Sequence, residues 1–182
     1  MLDFLEGRAT GRLLRYDPRT GRVEVVLDHL MFANGVALGP GDEYVLVNET
    51  LAARITRYWL RGPKAGQSDT FASALPGYPD NLTYNARGVF WVALPSPRNP
   101  ALERLAGWPW LRRLVQRMPP QLREQKLSRT AWVLGFNTEG QEVHNLQDLA
   151  GLYGPVTSVT QANGRLYFRS IGTAAIGWAP AP

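Results

Sequence analysis

The chain contains no cysteine in 182 residues, which excludes disulfides, thiolate metal ligands and a cysteine nucleophile. Histidine is nearly absent as well. His29 and His144 are the only two, too few for a histidine cage around a metal. No apolar run of about 18 residues or more occurs, so no membrane-spanning helix is expected. The opening residues, MLDFLEGRATGRL, have neither the basic start nor the apolar centre of a secretory leader, and a cytoplasmic location is favoured on that ground. There is no G-x-S-x-G elbow, and both histidines fall in outer-strand contexts as surface or packing residues. A serine-hydrolase triad is therefore unsupported and no catalytic residue is assigned. Nucleic-acid motifs are missing too. The basic side chains gather over 97–127 without the interleaved aromatic platform of single-strand binders, so nucleic acid is not an expected partner. The net charge of +5 reads as solubilising surface charge.

What is present is repetition. NGVALGPGDEYVLV from Asn34, DNLTYNARGVFWVA from Asp80 and TSVTQANGRLYFRS from Thr157 each open on a polar residue, run through a short apolar stretch and turn on Gly or Asn. Each reaches an aromatic ten positions on, at Tyr44, Phe90 and Tyr167. That is a hairpin pattern. A second kind of hairpin lies between, in GRLLRYDPRTGRVEVV from Gly11, ARITRYWLRGPKAGQSDTF from Ala53 and AWVLGFNTEGQEVHNL from Ala131. Two hairpins make a four-stranded unit, and repeats of this spacing predict propeller blades. Asn34 and Asp80 are 46 residues apart, whereas Asp80 and Thr157 are 77 apart. The excess is Pro97 to Leu127, whose apolar spacing predicts a helical insertion interrupted by Pro109 and stopped at Pro119 and Pro120. Trp59, Trp91 and Trp132 are expected in packing between blades, and Trp178 against a neighbouring blade, with Trp108 and Trp110 on the insertion.

The strand count expected is 13, in an order of two, four, four and three. The expected fold is all-β, a β-propeller of four-stranded antiparallel blades, about three per chain, forming one domain over 1–182 with a helical insertion over 97–127. Open sheet edges at both ends of such an arc need cover. A head-to-tail homodimer, with the first strands of one copy completing the last blade of the other, supplies it.

The stretch LEGRATGRLLRYDPRTGRVEVVLDHLMFANGVALGPGDEYVLVNET, then RITRYWLRGPKAG, LPGYPDNLTYNARGVFWVAL and TSVTQANGRLYF, resembles the strictosidine synthase-like proteins. The resemblance implies a six-bladed propeller in the wider group with gluconolactonase and paraoxonase, of which this chain looks like the C-terminal half. It also implies that Asn34 and Asp80 occupy positions where metal-dependent relatives bind a divalent cation, usually calcium. The alternative is that both merely hydrogen-bond local backbone at a strand entrance. In the plant enzymes a glutamate stands where this chain has Thr157, so strictosidine-forming activity is not expected. Two functions stay open: a metal-assisted hydrolase of lactones or esters acting on a small molecule in the central channel, and a non-catalytic half-propeller, a binding or scaffold protein or a truncated gene product, that dimerises into a six-bladed ring. Glu49, near the end of a strand, is either a solvated carboxylate or a group at the channel rim.

Overall fold

The computed structural model describes residues 8–100, 103, 131–148 and 150–182. Its described strands number 13 and run antiparallel in four sheets. The first sheet is the hairpin of β1 (Gly11–Asp17) and β2 (Arg22–Leu30). A four-stranded sheet follows, β3 (Ala33–Leu38), β4 (Tyr44–Glu49), β5 (Arg54–Trp59) and β6 (Ser68–Ala72), paired in chain order. The next is β7 (Leu82–Tyr84), β8 (Phe90–Ala93), β9 (Ala131–Phe136) and β10 (Glu142–Asp148). Three strands close the chain, β11 (Val156–Ala162), β12 (Arg165–Ser170) and β13 (Gly177–Pro180).

Burial explains why these segments read as strands. Every residue of β4 and of β8 is buried, as expected for a strand covered on both faces. The two-residue period of β8 sorts its side chains between two cores. Phe90 and Val92 join Tyr44, Leu46, Ile55 and Phe71 of the preceding sheet, while Trp91 and Ala93 join Val156, Val159 and Leu166 of the following one. Aromatic edges fill the first interface, with the rings of Phe71 and Phe90 5.5 Å apart at 75°. In the second, the Trp91 indole stacks on His144 and donates its Nε1–H to Gln161 Oε1 at 2.8 Å. At the β9–β10 turn Gly140 has φ +85°, and a methyl group there would lie 2.1 Å from the Phe71 carbonyl oxygen. The turn requires glycine both for its backbone angle and for its approach to β6.

The helical insertion expected over 97–127 needs correction. The named helices among the described residues are two three-residue 3-10 turns, Pro40–Asp42 and Thr50–Ala52. Pro97 instead bridges Gly77 in antiparallel fashion. Among the described residues of the segment a helical-type bond follows, from the Glu103 N–H to the Asn99 carbonyl at 3.0 Å. Apolar spacing alone overstated this segment, because prolines at 95, 97 and 100 withhold backbone donors and bias the residue before each toward extended geometry. Residues 101–102 and 104–130, with Trp108 and Trp110, lie outside the described residues.

Trp178 also departs from expectation. It is 56 % exposed, with the Arg165 guanidinium 4.2 Å above its ring, rather than packed against a neighbouring blade. At the other end of the arc, β1 and β2 pair Leu14 with Val25 and Tyr16 with Val23. All four are more than half exposed, so this hairpin carries an uncovered apolar face.

Candidate functional site

The polar residues that open the inner strands come together. Asn34 lies in β3, and Asp80 stands two residues before β7 on the neighbouring sheet. Gly35 makes the approach possible: a Cβ there would fall 2.5–2.7 Å from backbone atoms of Asn81, Asp80 and Leu82. Its N–H donates to the Asp80 carbonyl at 3.0 Å. Two further side chains of the first blade reach the same backbone. Asn48 Nδ2 donates to the Asp80 carbonyl at 2.7 Å, and the Thr50 hydroxyl donates to the Pro79 carbonyl at 2.7 Å while accepting from Asn34 Nδ2 at 3.3 Å. On the far side, Asn81 Nδ2 donates to Asp80 Oδ1 at 3.2 Å and to the Thr157 carbonyl at 2.9 Å. Asn34, Asp80 and Thr157 are thus linked in series across three sheets.

Electrostatics single out Asp80 within this chain. Burial pushes its carboxyl above the ordinary carboxylate range, opposed only by a hydrogen bond from Asn34. No cationic side chain contributes to its environment among the described residues. Thr157 carries no titratable group, and its hydroxyl donates to the Arg169 carbonyl at 3.3 Å.

Glu49 is neither solvated nor at a rim. It is fully buried, and its carboxylate accepts from Arg54 Nε at 2.6 Å, the Thr56 hydroxyl at 2.6 Å and the Met31 N–H at 2.8 Å. Burial works to raise its carboxyl, but these three donors together outweigh burial and leave it below the ordinary value. It is a structural anchor for the β2–β3 connection. Adjacent positions in β4 point opposite ways, so Asn48 serves the Asp80 cluster and Glu49 the connection behind it.

Reasoning from the sequence passed over Asn48, Thr50 and Asn81. The N-E-T string after a run of apolar residues was the available signal, since polar residues at the end of a buried strand must find partners. The donor set here, a carboxylate with amide and backbone oxygens, fits a hard divalent cation such as calcium better than zinc. One observation supports that fit. Asn48 Oδ1 is buried and has no hydrogen-bond partner, alone in this among the described side-chain polar atoms.

Comparison with known proteins bears on the family and the fold. The strictosidine synthase family model matches residues 1–63. Strictosidine synthase-like protein 13 of Arabidopsis thaliana is 40% identical over 154 residues, covering 81% of this chain and 38% of that protein. The human adipocyte plasma membrane-associated protein is 36% identical over 176 residues, covering 93% of this chain and 42% of its own length. Among solved structures, a gluconolactonase from Xanthomonas campestris superposes with a TM-score of 0.59 at 19% identity, over 89% of this chain and 42% of that one. Regucalcin of Agrobacterium tumefaciens, a calcium-binding protein, gives 0.55 at 14% identity, over 93% and 48%. These structural matches establish the shared fold. The chain spans less than half the length of each of these relatives.

Proposed function

Because this chain belongs to the strictosidine synthase-like superfamily of β-propellers, we propose that Asn34 and Asp80 hold a divalent cation, calcium by preference, in a hydrolase of lactones or esters. The observation that carries this reading is the Asp80 carboxylate, half-buried without a cationic partner among the described residues and held beside Asn34. Once bound, the cation would polarise the substrate carbonyl and favour attack by water. The protein's own part is positional. Thr50 and Asn48 fix the Pro79–Asp80 backbone, Gly35 holds the two inner strands together, and Asn81 ties the pair to the last sheet, at Thr157. A cyclising condensation is outside this reading, because Thr157 offers no group to shuttle a proton near neutral pH.

The test uses calcium-dependent turnover of a lactone and ester panel, with thermal melting as a second readout. Asp80 is raised in the folded state, so between the ordinary carboxylate value and the folded one the native chain holds more protons than the unfolded chain. Its contribution therefore worsens as pH rises through that window. Asp80→Asn is expected to melt higher than the wild type at pH 7 without calcium, to lose all calcium-induced stabilisation and to have no turnover. A wild type that neither gains melting temperature with millimolar calcium nor turns over any substrate would favour the second reading, a propeller that binds a small molecule without chemistry.

We further propose that two copies close into one ring. The apolar pairs Leu14–Val25 and Tyr16–Val23 at one end, and the three-stranded sheet ending at β13 at the other, are the surfaces each copy would cover on its partner. Light scattering is expected to give a dimer that Tyr16→Glu with Val23→Lys converts to monomer. A monodisperse 20.3 kDa wild type would rule the ring out.

A further inference from the structure

Asn48 is fully buried near the end of the second strand of its sheet, yet its side chain is only half satisfied. Its Nδ2 is fixed by the Asp80 carbonyl at 2.7 Å. Turning the amide over would set two acceptor oxygens against each other, so the amide orientation follows from that bond. The Asp80 carbonyl is already shared with the Gly35 N–H at 3.0 Å. Asn48 Oδ1 is consequently an acceptor, shielded from solvent, one amide width from the atom that is bonded to Asp80. No protein donor meets it among the described residues.

Buried acceptors left without a donor cost free energy, and after the run Tyr44, Val45, Leu46 and Val47 an apolar side chain would avoid that cost at this position. Asn48 is also more than a spare clamp for Asp80. The backbone it holds is gripped independently by Gly35 and, one residue earlier, by Thr50. The unmatched half of the side chain is what these contacts leave unexplained.

We propose that Asn48 Oδ1 is a third oxygen ligand, contributed with Asn34 and Asp80 to the same divalent cation. The inference rests on the cation reading given above and adds to it a residue of the second strand. Amide carbonyl oxygens are ordinary calcium ligands, and calcium takes six to eight oxygens in flexible geometry, so a donor from an adjacent strand is readily included. The side chain that orients the Asp80 backbone then also helps bind what the Asp80 carboxylate binds.

The experiment titrates calcium, by calorimetry and by thermal shift, into the whole chain as wild type, Asn48→Leu, Asn48→Asp and Asp80→Asn. Asn48→Leu should weaken calcium at least tenfold while its calcium-free melting temperature stays at or above that of the wild type. Asn48→Asp should bind calcium at least tenfold more tightly, and calcium should raise its melting temperature by more than it raises the wild type's. The Asp variant keeps the proposal testable should Asn48→Leu fail to fold. A merely structural Asn48, or one bonded to a buried water, predicts the reverse pattern: Asn48→Leu loses calcium-free stability and both variants keep wild-type affinity. That result, with Asp80→Asn still abolishing binding, would overturn the role of Asn48 and leave the Asn34–Asp80 site standing. A wild type indistinguishable from Asp80→Asn in the presence of calcium would remove both.

Discussion

Glu49→Ala is expected to lower the stability of the chain by about 3 kcal/mol, a loss visible in the urea midpoint with little change in slope. The carboxylate satisfies three donors at once, the Arg54 guanidinium, the Thr56 hydroxyl and the Met31 N–H. Removing it leaves Thr56, itself buried, without its acceptor and opens a void where a fully buried side chain stood. Arg54 moderates the loss, because its side chain is 42 % exposed and can return to water. The pH dependence has a definite sign. The folded carboxyl lies below its ordinary value, so its contribution is fully present above that value and is lost as pH falls through the lower folded one. Glu49→Gln should therefore be less stable than wild type at pH 7 and should converge toward it in acid. Parallel acid profiles for the two proteins would contradict the assignment.

Trp91→Ala should cost about 3–5 kcal/mol, the usual range for deleting a buried tryptophan. Here the indole is 1 % exposed and sits between two sheets. It stacks on His144 with centroids 5.1 Å apart, and its Nε1–H shares the Gln161 Oε1 acceptor with Asn85 Nδ2. Loss of the ring empties the interface between the third and fourth sheets and frees one donor's claim on Gln161. Trp91→Phe should recover most of the packing but not the hydrogen bond, placing it about 1–2 kcal/mol below wild type. A Trp91→Ala protein within 1 kcal/mol of wild type would show that the interface collapses around the missing ring.

Glu49 and Asp80 make an instructive contrast. Both are carboxylates at the inner ends of blades, and residue type does not separate them. Glu49 gains a guanidinium and two other donors and becomes more acidic, whereas Asp80 gains burial with weak amide support and becomes less so. The difference lies in the fold. Arg54 is brought opposite Glu49 by the register of the β4–β5 pair, while among the described residues the Asp80 carboxylate meets the amides of Asn34 on the neighbouring sheet and of Asn81 beside it.

Much of the architecture was legible in the chain because its information is local. A polar opener, an apolar run, a Gly or Asn turn and an aromatic ten residues later specify a hairpin through backbone angles and two-residue alternation, both of which act over a few neighbours. Successive hairpins then order 13 strands, and the nearness of Asn34 to Asp80 follows from the repeat. The segment from Pro97 misled because apolar spacing is compatible with helix while nearby prolines favour extended chain. Tertiary structure alone decided which polar side chains would find partners. Whether Glu49 met an arginine, whether Asn48 kept an unmatched oxygen and whether Trp178 stayed in solvent depended on which blade faces lie against one another. Side-chain pairing between sheets is a long-range property, and no window of sequence contains it.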